Sequence, residues 1–431
     1  MAWTYDDAIE YLESHVNFEQ QSPTKEGAPS LDRMRALCAA MADPQHTAPV
    51  IHVTGTNGKG STTRMITALL VAHGLSVGTY TSPDIERVTE RLSWNGERIT
   101  DEDFAEQLLA VAEIEAITGV RPTRFDILTL AAFRWFAEIA VDVMVLEVGL
   151  GGRWDSTNVA DATVAVVTNV GLDHVDIIGP LREDIAREKS GIVKPGSTLV
   201  IGETDPAIVE IFEAARPQRT WRRGREFAVD ENRVAVGGRA IDIHTGTTIY
   251  DDVFVSLHGA HQGENASLAV AAVEAFFERS TPEDVVREAL ASVQVPGRFE
   301  VMGRGPLLVI DGAHNAPGAA AAASTLDDFR VDGARILVVG TNRPHDPVEL
   351  LEALDARSSA LVIGTNADFP RAVSAEDMAA AAESMGITAV AVPGVAAAVA
   401  EARRRAAPED AILVTGSLYV VGEARRALTT N

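Results

Sequence analysis

The 431-residue sequence contains a single cysteine, Cys38, and only four lysines (Lys25, Lys59, Lys189 and Lys194) against 33 arginines. A lone thiol excludes an internal disulfide framework and a metal-type cysteine cluster. Cys38, inside the helical pattern SLDRMRALCAAMA, reads as an inert core residue. Long apolar runs are also missing: none approaches the roughly 20 residues that a bilayer span needs. The start, MAWTYDDAIEYLES, is acidic and amphipathic, whereas a secretory signal is basic and then apolar. The chain therefore reads as cytoplasmic, with no membrane partner. Positive charge is scarce as well. A net charge of −25 leaves no broad basic face to displace the counterions of a phosphate polymer, which argues against nucleic acid as a partner. An anionic ligand has to be met locally, by backbone N–H groups and a few placed cations.

An apolar fraction of 46% and a charged fraction of 23% are ordinary for a globular chain of two or three domains. Strand-like runs alternate with helical periodicity: PVIHVT, a helix from about 59 to 73, SVGTY, helices near 101–118 and 125–139, then VDVMVLEVG and ATVAVVTNV. That rhythm predicts an α/β fold with a mainly parallel sheet covered on both faces. Short alternating stretches over 219–256 predict a small antiparallel patch, and helices return near 263–278 and 282–291. At VQVPGRFEV a Pro-Gly pair interrupts the pattern. The runs LLVID, RILVVG, SALVIGT, TAVAV and AILVTG then predict a separate, doubly wound, Rossmann-like C-terminal domain. The expected division is 1–296 and 297–431.

One of the four lysines sits in TGTNGKGST (54–62), between a strand and a helix. There, glycines let backbone N–H groups turn inward to cradle phosphates, and the helix dipole adds partial positive charge. Lys59 would neutralise terminal phosphate oxygens and Ser61 would offer its hydroxyl to Mg²⁺. Glu147 closes the apolar strand DVMVLE, where the crevice of a doubly wound sheet lies, and a carboxylate there suits the same hard cation. His174 follows another strand in TNVGLDH; since Mg²⁺ seldom takes nitrogen, metal ligation and hydrogen bonding both stay open. Lys189 and Lys194 lie in IAREKSGIVKPG. A retained lysine in an arginine-rich chain hints at chemistry that arginine cannot do, although surface lysines also persist by chance.

TGTNGKGST, TSPDIERVTERL, LEVGLGGRWDSTNV, TNVGLDH, IAREKSGIVKPG, LHGAHQGENASLA, PGRFEV, LLVIDGAHN and TGSLYVVGE resemble, in order, the motifs of the folylpolyglutamate and dihydrofolate synthases of the Mur ligase superfamily. The resemblance spans about 30–425, and Gly60 is similar to the folate branch rather than the cell-wall branch. It implies an ATP-dependent ligase that joins L-glutamate to dihydropteroate, to the γ-carboxyl of a reduced folate, or to both, through an acyl phosphate; a bifunctional enzyme is the favoured form. It further implies that Thr56, Asn57, Gly58, Lys59, Gly60, Ser61 and Thr62 hold ATP with Asn265, Arg298, Asp311 and His314. Ser61, Glu147, His174 and a Lys189 carbamylated by CO₂ would hold two Mg²⁺ ions. Lys59, Lys189, His174, Glu147 and His314 would form the catalytic set, and Ser82, Pro83, Asp84, Phe125, Asp155 and Ser417 would meet the pterin and glutamate substrates. The family leans monomeric.

Three departures stand out. SPDI places Asp84 where relatives often have histidine, Trp154 replaces a common leucine, and TNRPHDP (341–347) replaces the usual ADKD pattern. Two other readings compete. A cell-wall Mur ligase needs a uridine nucleotide domain ahead of the phosphate loop, and only about 50 residues precede it. A non-catalytic nucleotide and folate sensor is encouraged only by the changed 341–347 loop.

Overall fold

The apolar, β-branched runs form strands because their side chains pack well on a pleated, covered surface. The computed structural model describes residues 2–20, 31–175, 177–246 and 248–429, so Lys25 lies outside the described residues. Val50–Thr54 (β1), Val77–Tyr80 (β2), Leu92–Trp94 (β3), Glu97–Arg98 (β4), Val143–Glu147 (β5), Ala162–Val167 (β6), Thr198–Ile201 (β7) and Arg219–Arg222 (β8) make one sheet. Its order is β4-β3-β2-β5-β1-β6-β7-β8, parallel except for β3 and β4 at one edge.

A separate antiparallel sheet joins Phe227–Ala235 (β9), Gly238–Thr245 (β10) and Ile249–Val255 (β11). The patch expected over 219–256 is therefore divided. The helix Pro206–Glu213 supplies the crossover that a parallel pair requires, so Arg219–Arg222 extends the large sheet beside β7.

The second lobe is a six-stranded sheet. Glu300–Arg304 (β12), Leu307–Asp311 (β13), Arg335–Val339 (β14), Leu361–Gly364 (β15), Ala389–Ala391 (β16) and Ala411–Thr415 (β17) lie in the order β12-β13-β17-β14-β15-β16. Five strands coincide with the expected parallel series. The sixth, β12, was not among them and adds antiparallel to β13.

Both faces of the large sheet are covered. On one, Met65, Ile66 and Leu69 of the helix Lys59–Ala72 pack with the helix Ala260–Phe277 against Val53, Val145 and Val166. On the other, the helices Leu31–Ala40, Asp101–Thr118 and Arg124–Glu138 bury Cys38, Phe104 and Phe133. Burial pushes the Cys38 thiol up to about 12, leaving it unreactive as expected. In the second lobe Ala319, Ala322 and Ala323 are buried, letting the helix Ala316–Asp327 approach its sheet closely. No helix among the described residues is long and apolar enough to cross a membrane.

The carboxyl ends of β1, β5 and β6 face those of β13, β14 and β17, the position in which open α/β sheets place ligands. Polar contacts bridge the lobes there. Asn57 and Asn315, 258 residues apart, exchange side-chain hydrogen bonds of 3.2 and 3.0 Å. Arg371 donates to the Glu19 carbonyl at 2.7 Å, and Arg425 pairs with Glu86.

Candidate active site

The phosphate loop begins where β1 ends. Gly58 has φ +83° and precedes the first helical residue, Lys59; a Cβ at Gly58 would lie 2.6 Å from Asn265 Oδ1, so only glycine fits between loop and helix Ala260–Phe277. The loop after β6 braces it: Asn57 N–H donates to Asn169 Oδ1 at 3.0 Å, and Gly171 N–H donates to Thr56 Oγ1 at 2.9 Å. Lys59 Nζ folds back to donate to the Gly55 and Thr56 carbonyls at 3.1 and 3.2 Å, which fixes an ammonium over the helix N-terminus. Ser61 is buried, and its hydroxyl is approached by Gln262 Nε2 at 3.4 Å. Gln262 in turn accepts from Asn265 Nδ2 at 3.0 Å. Thr62 is buried in the same helical turn.

Two groups of side chains meet at Lys59. On one side is Glu147, 4% exposed, which accepts from Ser82 N–H at 3.2 Å. A Cβ at position 60 would sit 3.5 Å from its Oε2, so the carboxylate lies directly under the helix start. Burial pushes the Glu147 carboxyl up, against the opposing pull of Lys59, Ser82 N–H, Arg298 and Arg64. A divalent cation would offset that desolvation, so Glu147 with the Ser61 hydroxyl fits a hard ion.

On the other side is Lys189, buried, with Nζ donating to the Gly55 carbonyl at 2.7 Å. Burial and then the Lys59 charge bring its pKa down to about 7. Arg182–Lys189 is a short helix, and Lys189 at its end is aimed at the loop from the neighbouring β6–β7 connection. His174 has φ +51° and its imidazole is pushed down by burial, with Asp173 opposing and Lys59, His314 and Lys189 reinforcing. Among the described residues no three His, Cys, Asp or Glu side chains form a cluster that could hold a metal ion.

The second lobe closes the site. Asp311 accepts from Phe299 N–H at 2.8 Å and Ala313 N–H at 2.9 Å, which ties the Gly297–Phe299 turn to the end of β13 and holds Arg298 beside Gly312. His314 Nδ1 donates to the Gly312 carbonyl at 3.0 Å, and its Nε2 faces Asp173 Oδ2 at 3.8 Å. Asp173, Asn315 and Gln262 were not among the expected site residues. Their neighbours in DGAHN, LDH and HQGEN were, so the motifs located the right segments and missed individual members.

From this junction a cleft of about 300 Å³ runs between the lobes. Ser82, Pro83, Phe125, Trp154, Asp155, Ile177 and Ile178 line one wall; Arg343, His345, Arg371, Ser417 and Tyr419 line the other. Phe125 is placed by a capping box, in which Thr123 Oγ1 accepts from Asp126 N–H and the Asp126 carboxylate accepts from Thr123 N–H. Asp155 borders the cleft, but its oxygens accept from Thr157 and Leu150 N–H at 3.0 and 2.9 Å, which shapes the wall from within. A Cβ at Gly149 would lie 2.6 Å from Phe125 Cζ. Gly149→Ala is accordingly expected to displace the ring and raise KM for the cleft substrate about 10-fold, leaving KM for the nucleotide unchanged in initial-rate measurements.

Asp84, expected against the substrate, is not among the side chains that line the cleft; its Oδ1 accepts from Arg91 Nε at 2.6 Å. Arg91, 1% exposed, also meets Glu19 through two bonds of 2.8 and 2.9 Å. Burial alone would raise the Glu19 and Asp84 carboxyls; the charges of Arg91 and Arg124 more than offset it, and both end below the usual range. A depressed carboxylate adds stability above its unfolded pKa of about 4, and that stability is lost as pH falls through the lower folded value. Thermal melts should therefore drop steeply below about pH 4. Asp84→Asn should lower Tm at neutral pH, by a free energy of about 2 kcal/mol, and flatten that acid limb.

The class follows from two α/β lobes around a phosphate loop and a buried carboxylate. Residues 53–273 match the Mur ligase middle domain and residues 297–418 the Mur ligase glutamate ligase domain, a family of ATP-dependent ligases. Within it, the chain belongs to the dihydrofolate synthase/folylpolyglutamate synthase family. It is 36% identical to the dihydrofolate synthase/folylpolyglutamate synthase of Mycobacterium tuberculosis, across 98% of this chain and 94% of that one. An Escherichia coli FolC structure in complex with DHPP and ADP superposes with a TM-score of 0.88 at 30% identity, over 100% of this chain and 98% of the other. A bifunctional folylpolyglutamate synthase/dihydrofolate synthase with Mn, AMPPNP and L-glutamate bound gives 0.85 at 29% identity, over 99% and 98%.

Proposed function

We propose that this chain joins L-glutamate to dihydropteroate and to the γ-carboxyl of reduced folates at one site, consuming ATP through an acyl phosphate. The observation that carries the reading is Lys59, an ammonium pinned by two loop carbonyls at an open helix N-terminus, with Glu147 on one side, Lys189 on the other, and the cleft in front. The relatives solved with ADP, DHPP and L-glutamate support the same substrates here.

A carboxylate does not react with an amine, because its oxygen is a poor leaving group; phosphorylation makes it a good one. The loop N–H groups and Lys59 would orient the ATP phosphates and stabilise charge as the γ-phosphoryl moves. Asn265, Arg298, Asp311 and His314 flank that loop from helix Ala260–Phe277 and the second lobe, where an ATP molecule would be held between the lobes. Ser61 and Glu147 would hold one Mg²⁺, and Glu147, His174 and a carbamylated Lys189 a second; the ions supply charge neutralisation at the phosphates. A carbamylated Lys189 would add an anionic oxygen to the set. Its depressed pKa leaves a neutral amine available for CO₂, and the N–H that survives carbamylation can keep the Gly55 bond.

Phe125, Trp154, Ile177 and Pro83 offer an apolar wall suited to a pterin ring. Ser417 and Arg343 face it across the cleft, where the glutamate carboxylates would lie. Closure of the two lobes over the bound substrates would keep water from the acyl phosphate. The reading is of a monomer, the state toward which the family leans, acting in the cytoplasm.

The test is initial rates with dihydropteroate and with tetrahydrofolate as alternative carboxylate donors, given ATP, Mg²⁺ and glutamate. The expected result is ADP release that requires both organic substrates, with each donor. Nucleotide binding without turnover would favour the sensor reading instead.

A further inference from the structure

We propose that His345 is the general base that takes a proton from the α-ammonium of the incoming glutamate; the inference rests on the ligase reading above. It comes from the segment TNRPHDP, which departs from the family pattern and which the phosphate and metal machinery does not use.

An amine attacks only through its lone pair, and the α-ammonium of an amino acid carries a proton at neutral pH. One proton must leave before the C–N bond forms. The nitrogen then attacks the acyl carbon, the C–O bond to phosphate breaks, and phosphate departs with the electron pair. Of the two protons that the nitrogen gives up overall, one goes to the base and on to solvent, and the second leaves with the phosphate. A base is therefore needed at the phosphate-loop end of the cleft.

Beyond Lys59, Glu147 and Lys189, which the ligase reading gives to the nucleotide and the cations, the ionisable side chains Asp173, His174, His314 and His345 line that end of the cleft. Asp173 is a poor base, because a carboxylate is intrinsically weak and its Oδ2 is already approached by Asn315 Nδ2 at 3.4 Å and His314 Nε2 at 3.8 Å. His174 is assigned to the cation. His314 has Nδ1 committed to the Gly312 carbonyl, and its Nε2 is turned to the Asp173 carboxylate, an arrangement that suits a donor.

His345 remains. Its ring lies in the cleft wall, centred 5.7 Å from the His314 ring, and neither ring nitrogen has a hydrogen-bond partner among the described residues. The charged and titratable groups facing it are His314, Asp173, Arg371 and Glu349. Burial and then His314 depress its pKa, so at neutral pH it is an unprotonated imidazole open to the cleft. The Asp173 carboxylate, which His314 also faces, would stabilise the imidazolium that forms.

The test compares wild type with His345→Gln, using glutamate and then hydroxylamine, an amine already unprotonated at neutral pH. In wild type, kcat/KM for glutamate should fall on an acid limb that lies below the ordinary imidazole range. In His345→Gln it should be about 10²-fold lower at neutral pH and rise about tenfold per pH unit, following the free amine. Hydroxamate formation and the accompanying ADP release should stay within about twofold of wild type, which also shows that the variant is folded and still activates its carboxylate. The assignment is overturned if glutamate turnover and its acid limb survive the substitution, or if glutamate and hydroxylamine reactions fall together. Absence of hydroxamate with wild type would instead overturn the ligase reading itself.

Discussion

Lys59→Ala is expected to lower kcat by about 10³-fold while leaving the fold intact. The side chain makes only two hydrogen bonds, both to carbonyls of its own loop, so its loss removes little native packing. What disappears is a cation held in advance where phosphate charge redistributes, and such preorganised charge acts mainly on the transition state. Lys59→Arg should recover little of the rate, since a planar guanidinium does not fit the space of a compact ammonium between the Gly55 and Thr56 carbonyls. Single-turnover ADP formation together with a thermal melt checks this: kcat should collapse with Tm nearly unchanged. A parallel fall in both would mean that Lys59 holds the loop together rather than the nucleotide.

Lys189→Ala is expected to lose ligation to a similar extent, about 10³-fold, with partial return when acetate or formate is added. A small carboxylate can occupy the space of the missing side chain and supply the anionic oxygen that a carbamate would carry. The native enzyme should also lose activity in CO₂-depleted buffer and regain it with bicarbonate, and ¹³C-bicarbonate should give a carbamate carbonyl signal absent from Lys189→Ala. The sign of the pH effect follows from the depressed pKa. Only the neutral amine adds CO₂, so activation by bicarbonate should weaken as pH falls below about 7. Full activity of Lys189→Ala without any carboxylate would end the carbamate idea, and with it the reason for a lysine at this position.

Much of this site was legible in the chain. Glycine spacing, a strand before and a helix after, and scarce lysines pointed to residues 54–62, Glu147 and Lys189, and the structure gathers them at the ends of β1 and β5 and at the helix after β6. Their positions follow from local rules: a strand buried on both faces presents its last residue at the sheet's carboxyl edge, and a glycine-rich turn opens a helix N-terminus. The partners of Asp84 were not legible in this way: the family resemblance set it against the substrate, whereas the structure pairs it with a buried guanidinium seven residues on, whose need for partners no local pattern displays. The edge pairings of β8 and β12 were also hidden, since a short strand joins whichever sheet edge the rest of the fold leaves open.

The sequence alone determined the order of strands and helices, the phosphate loop, and the acid, histidine and lysine that surround it, because periodicity, turn chemistry and residue type are properties of neighbours along the chain. Only the tertiary structure decided that Asn57 meets Asn315, that Asp173 stands between two lobes, and that His345 opens onto the same cleft as Phe125. Those pairings join residues separated by many elements, and they exist only once two independently covered sheets are packed with their carboxyl edges face to face.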